Sequence, residues 1–566
     1  MKLPFLSNIS KSRDYRIEFK GYNHGLYVGE GQFYDTRNLC ATNYPVMSPR
    51  AARATVRQLS EPQGMYAHGK LCWVDDGHFF YDGVQYGEQL TDGEKQLVGM
   101  GAWVLIFPDG VRFNVSTKAW ESLSGEWNAS GEIRVTLCKM DGSDYENVTV
   151  GDSAPEEAQN GEYWLDTSAE HHVLRIYSNG SWNSVPTTYV RISAAGIGAA
   201  FAQGDTVEIE GAEEAALNGA HSVVLRTDDS IVIVGIVDQI MTQDGGMSVK
   251  RSIPQMDFVC ELNNRIWGCS SAAHEIYACK LGDPTNWRCF DGLASDSYAA
   301  TVGSQGDFTG CCAFGGQVLF FKEDMLHKVM GTKPSNFQIS DAPIRGVQQG
   351  SEKSLCIVNE TLFYKSRDSI CVYDGGTPMD VSDALGNVDY FDAAAGVQGD
   401  RYYISMRNGE GEWNLFVFDE AKGLWYREDE THATHFAALR GQLYFLREDG
   451  TMMAVRGLQE EGAQAEDAVE WYAETGDMLV DMPDNKYVSR IQIRAGVEQG
   501  SEIKLEMQYD SNGEWITIFE RGYSRKASFT VPIIPMRCDH VRMRVSGTGR
   551  SCVYAVSKEI EQGSEL

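Results

Sequence analysis

Apolar residues along this chain come in short runs that break at Gly or Asn, resume in aromatics and end in a charged turn. MYAHGKLCWVDDGHFFYDG from Met65, LVGMGAWVLIFPDGVRFNV from Leu97 and CCAFGGQVLFFKEDMLHKV from Cys311 show the phrase, and further copies begin at Phe258, Ser354, Ala393 and His435. These are short, alternating strand-like runs with no 3.6-residue period, so each copy predicts a pair of β-strands and not a helix pair. From Phe258 onward the copies start roughly forty to fifty residues apart, the length that one four-stranded propeller blade requires. The expected fold is all-β: a β-propeller over 61–126 and 254–457.

The interval 127–253 is too long for a loop. It carries strand patterns of its own, among them GEIRVTLCKM, TTYVRISAAG and SIVIVGIVDQI, and predicts a β-domain inserted into the propeller. Residues 1–60 precede any repeat. Asn38 to Arg53 within them holds Pro45, Pro49 and two arginines, as expected of an arm reaching a neighbour or of the strand that closes the propeller. Residues 458–566 begin with the acidic, helix-compatible stretch LQEEGAQAEDAVEWYAETGD. In the rest, Ile503, Leu505, Met507 and Tyr509 alternate with Lys504, Glu506 and Gln508, and Val541, Met543 and Val545 alternate with Arg542 and Arg544. Strict alternation means one buried and one wet face, which predicts a C-terminal β-sandwich or jelly-roll-like module.

Charge narrows the function. Lys+Arg 49 against Asp+Glu 80 gives a net charge of −31, which argues against a broad phosphate-neutralising surface. The start, MKLPFLSNISKSRDYRIEFKGYNHG, has no apolar core of signal-peptide length, and no segment approaches an uninterrupted membrane span, so assembly in a cytoplasm is expected. Thirteen cysteines lie mostly in apolar strand contexts. Cys260, Cys269, Cys279 and Cys289 recur too far apart for the paired ligands of a zinc ribbon, so they read as reduced core thiols.

Catalytic motifs do not assemble. No phosphate loop, GxGxxG or HExxH occurs, and the adjacent His171 and His172 alternate faces on an expected strand. The repeated DDG, PDG, YDG and EDG suit tight hairpins better than a calcium loop. SNGSW from Ser178 and YDSNGEW from Tyr509 approach a sialidase Asp-box but displace its Asp, so they too read as hairpin turns. No catalytic, cofactor-binding or metal-binding residue is assigned, no cofactor is expected, and the chain is read as non-enzymatic.

Certain segments carry a resemblance. EFKGYNHGLYVGEGQFYDTRNLCATNYPVMSPRAAR, NNRIWGCSSAAHEIYACKLGDPTNW, FFKEDMLHKVMGTKPSNFQ and VPIIPMRCDHVRMRVSGTG resemble large virion proteins of phages and prophages of Gram-positive gut bacteria. More distantly, a propeller with an inserted β-domain is similar to the tail nozzle or hub proteins of short-tailed phages. That resemblance implies a structural tail protein in a ring of about six copies, located in the virion and assembled in the host cytoplasm. Its partners would be the portal or adaptor and tail fibres or other tail proteins, with DNA passing during ejection without sequence-specific binding. The alternative is a receptor- or carbohydrate-binding protein at the tail or capsid surface.

Overall fold

A computed structural model describes residues 11–169, 171–238, 240–457, 464–480 and 486–562. The expectation drawn from residues 1–10, and the first part of the helix-compatible stretch at 458–463, lie outside the described residues. The chain is an all-β protein in which strands are joined by tight turns and a few single-turn 3-10 segments. It is a β-propeller with an inserted β-domain and a C-terminal β-sandwich, and it divides into two compact units.

Unit 1 comprises 1–94, 320–327 and 341–566. It contains blades at 62–86, 356–380, 390–429 and 433–454, each a meander of four antiparallel strands, the last completed by a strand from far upstream. The second strand of a blade is buried on both faces, as in Thr361–Lys365 and Arg401–Asn408, because a neighbouring blade packs on each side. This departs from the alternation read in the repeats: continuous apolar runs such as Ile370–Tyr373, buried at every position, are what two-sided packing selects. Phe363, Ile370, Tyr402, Phe416 and Trp425 form one such inter-blade core, and Leu443, Phe445, Tyr403 and Leu415 form the next.

Ala54–Gln58 completes the 433–454 blade by pairing antiparallel with Thr451–Ala454. Two further early strands enter the C-terminal sandwich. Lys11–Arg16 pairs with Ser551–Gln562 at the edge of a four-stranded sheet, and Asp35–Arg37 pairs with Glu470–Glu474 at the edge of a five-stranded one. The two sheets enclose a core that includes Trp471, Ile503, Leu505, Met507, Ile491, Ile493, Val531 and Val553. Alternation at Glu502–Tyr509 and Val541–Thr548 places the expected apolar residues inward. The helix-compatible reading is corrected where the chain is described: Gln464–Ala465 and Glu470–Glu474 are strands, because Trp471 and Ala473 alternate into the sandwich core and tertiary burial overrides local propensity.

Unit 2 comprises 95–319 and 328–340. Blades at 96–122 and 258–301 pack through Leu105, Phe107, Ile266 and Trp287. Between them in sequence, Gly125–Asn128 pairs with Ser248–Arg251, so the chain enters and leaves the inserted domain on neighbouring strands. The insertion consists of an eight-stranded sheet, around a core including Ile133, Val190, Ile192, Val207, Ile231 and Ile233, and a four-stranded sheet spanning 148–184. In that smaller sheet Val148–Gly151 and Tyr163–Asp166 run parallel.

Turn chemistry explains the repeated acid-glycine pairs. Asp76 and Gly77 have φ of 50° and 70°, and Asp82 and Gly83 have 53° and 83°, the paired left-handed conformation of a two-residue hairpin. Asn179 and Gly180 make the same turn in SNGSW, and Trp182 then packs edge-on against Tyr177, with ring centroids 5.2 Å apart.

Candidate functional site

The register of the four-stranded sandwich sheet brings three strand ends together. Val497 lies opposite Ser524 on one side and Ser551 on the other, so the turns after Lys486–Val497, before Ser524–Val531 and before Ser551–Gln562 share one sheet end. The N-terminal segment closes one wall, because Met47 bridges Val553 and Cys40 pairs with Ser48. Arg456, just past the last strand of the 433–454 blade, completes an open cleft of about 630 Å³.

The lining is cationic, in a chain whose net charge is −31. Arg50, Arg456, Lys526 and Arg550 face a single carboxylate, Glu498. Arg50 is already committed: its guanidinium donates to Glu466 at 2.7 and 3.3 Å and to Asn38 Oδ1 at 2.8 Å. Burial alone would raise the Glu466 carboxyl, but the Arg50 hydrogen bonds hold it below the usual carboxylate range. Arg456, Lys526 and Arg550 are exposed and form no ion pair among the described residues. The Lys526 ammonium sits 3.8 Å from the centroid of the Tyr554 ring, a cation–π contact that holds it at the wall. Ser551 is only 5% exposed, and its Oγ has no hydrogen-bond partner among the described residues. Burial pushes the Cys552 thiol up, so it is neutral at physiological pH. Exposed guanidinium and ammonium groups beside polar side chains can offer charge-assisted hydrogen bonds to an oxyanion.

Behind Arg50 lies a buried ion network. Arg53 donates to Glu428 Oε2 at 2.6 Å, Asp429 Oδ2 at 2.7 Å and Thr431 Oγ1 at 3.1 Å. Burial opposes ionisation of Asp429, yet Arg53 and Arg50 keep its carboxyl far below the ordinary carboxylate range. Both arginines of the Asn38–Arg53 segment are thus buried against their own chain.

Elsewhere the sequence candidates fall apart as sites. His172 pairs with Asp238, and His171 lies in the turn before Val173–Ser178, so the two do not share a strand. None of the thirteen cysteines is in a disulfide; Cys269, Cys279 and Cys289 are buried and Cys260 partly so. Cys289, Asp291 and Asp296 do cluster, but burial and the Asp291 contact push the thiol up to about 11, so its proton bridges the acids at 3.3 and 3.7 Å. Sequence reading assigned no site residue here, although Pro49 and Arg50 of the Asn38–Arg53 segment line the cleft. Its trace is the strand start SRKAS and the turn GTGRSC, which place cations at one sheet end, but only the sheet register unites them.

No protein-family model matches the sequence, and no curated protein matches it. Solved structures resemble it at the level of fold. BamB from Moraxella catarrhalis is 10% identical, with a TM-score of 0.34, over 73% of this chain and 99% of that one. The endosialidase of phage phi92 is 10% identical, with a TM-score of 0.25, over 78% and 75%. The WD40 repeats of RRP9 are 5% identical, with a TM-score of 0.27, over 72% and 98%.

Proposed function

We propose that this chain is a non-enzymatic structural component of a bacteriophage tail, a nozzle- or hub-like subunit that forms part of the DNA ejection conduit and docks neighbouring tail proteins. The observation that carries the reading is the stitching of early strands into late modules. Lys11–Arg16, Asp35–Arg37 and Ala54–Gln58 are each hydrogen-bonded into sheets formed more than 370 residues downstream in the chain numbering. A load applied to such a unit is shared by three antiparallel ladders and by the buried Arg53 network, as a particle component under genome pressure needs.

Charge supports the same reading. A subunit of net charge −31 has little affinity for phosphate over most of its surface, so DNA passes without sticking. In a closed ring of about six copies, repulsion between subunits must be offset by apolar or locally paired heterologous contacts. Quantitative mass spectrometry of purified particles tests the proposal. About six copies per particle are expected; a chain absent from purified particles overturns it.

A further inference from the structure

We propose that the cleft formed by Arg456, Lys526, Arg550, Tyr523 and Ser551 is a binding site for an acidic saccharide, a sugar carrying a carboxylate or phosphate group. The inference is independent of where the chain sits in a particle.

Size, charge and lining agree. About 630 Å³ lies within the range of clefts that bury small ligands. Three exposed cations without an acid partner among the described residues converge on it, although acids outnumber bases 80 to 49 across the chain. An oxyanion placed there gains charge-assisted hydrogen bonds that no carboxylate of the cleft now provides. The cations also come from separate places, Arg456 just past a blade, Lys526 on the strand Ser524–Val531 and Arg550 in the turn before Ser551–Gln562, so only the folded chain assembles the charge.

The remaining lining suits sugar hydroxyls rather than a bare ion. Ser551 lines the cleft, and its Oγ has no hydrogen-bond partner among the described residues. Thr42, Asn43 and Ser524 add polar atoms, and Glu498 offers a carboxylate that accepts from hydroxyls. Tyr523 is 61% exposed and presents an aromatic surface against which the apolar face of a pyranose can lie.

Isothermal titration calorimetry on the full chain at low ionic strength tests the site, with trigalacturonate, glucose 6-phosphate, inorganic phosphate and uncharged maltotriose as probes. One saturable site per chain is expected for at least one of the two acidic sugars. Binding of only one identifies the preferred oxyanion and supports the proposal. Lys526→Ala with Arg550→Ala should weaken binding at least about tenfold, and added salt should weaken it further. Both side chains are exposed, and an unchanged thermal midpoint will show that the variant is folded. Three results would each overturn the proposal: no binding of either acidic sugar at millimolar concentration, maltotriose or inorganic phosphate bound as tightly as the acidic sugars, or undiminished affinity in the folded double variant.

Discussion

Arg53 Nη2 lies 2.6 Å from Glu428 Oε2, and both side chains are almost sealed from solvent, at 2% and 3% exposure. The contact joins the segment before the first blade to the last strand of the 390–429 blade. Glu428 and Asp429 share Arg53, so removing the arginine strips two largely buried carboxylates of their shortest partner, at a cost of about 3–5 kcal/mol. Arg53→Ala is expected to lower the unfolding free energy measured in urea by that margin, and Glu428→Gln by less, because Arg53 keeps Asp429 at 2.7 Å. The paired variant Arg53→Met with Glu428→Leu should cost less than the two single effects added together. A paired cost equal to the sum of the two single costs would show that the pair is not coupled.

The closing strand makes a second prediction. Ala54–Gln58 is hydrogen-bonded on both sides, to Thr451–Ala454 and to Gln464–Ala465, so Thr55 occupies a central strand position. Thr55→Pro removes an amide donor there and should cost more than about 1 kcal/mol. Hydrogen exchange should accelerate at Thr451–Ala454 first, while Glu502–Tyr509 in the sandwich keeps its protection.

Buried thiols set the response to alkali. Burial pushes Cys279 and Cys356 up to about 12 and Cys138 to about 11, against an ordinary thiol near 9. The unfolded chain therefore releases these protons first as pH rises. Their contribution to stability is complete below about pH 9 and is lost as pH climbs from there toward 12. Thermal midpoints should fall over that window, and Cys279→Ala should shallow the fall. A flat profile would show that these thiols are hydrated in the native protein.

The inserted domain should be separable. Glu132 and Asp244 are cross-strand partners, so a short Gly-Ser bridge can replace 132–243 without moving the flanking strands. The shortened protein is expected to remain soluble and to fail in assembly. Insoluble protein would mean that the domain belongs to the main core.

The propeller was legible because every blade repeats one aromatic-rich strand pair, and the sandwich because Ile503, Leu505 and Met507 alternate faces. Two features were hidden for physical reasons. Glu470–Glu474 looked helical since its local composition is acidic and alanine-containing, while its strand character comes from distant partners in Val541–Thr548. The cleft was invisible since Arg456, Lys526 and Arg550 become neighbours only through the register around Val497 and the docking of the N-terminal segment. The two arginines before the repeats suit either an arm reaching a neighbour or the strand that closes the propeller; both are buried within their own chain, directly before the strand Ala54–Gln58 that completes the 433–454 blade.

The structural account is tested most directly by a reconstruction of intact particles that locates this chain. The account predicts a ring of identical subunits below the portal, with unpaired Asp and Glu collected at the lumen. A copy found only at fibre tips or capsid vertices, or a lumen lined mainly by Lys and Arg, would contradict it and favour a receptor-binding role.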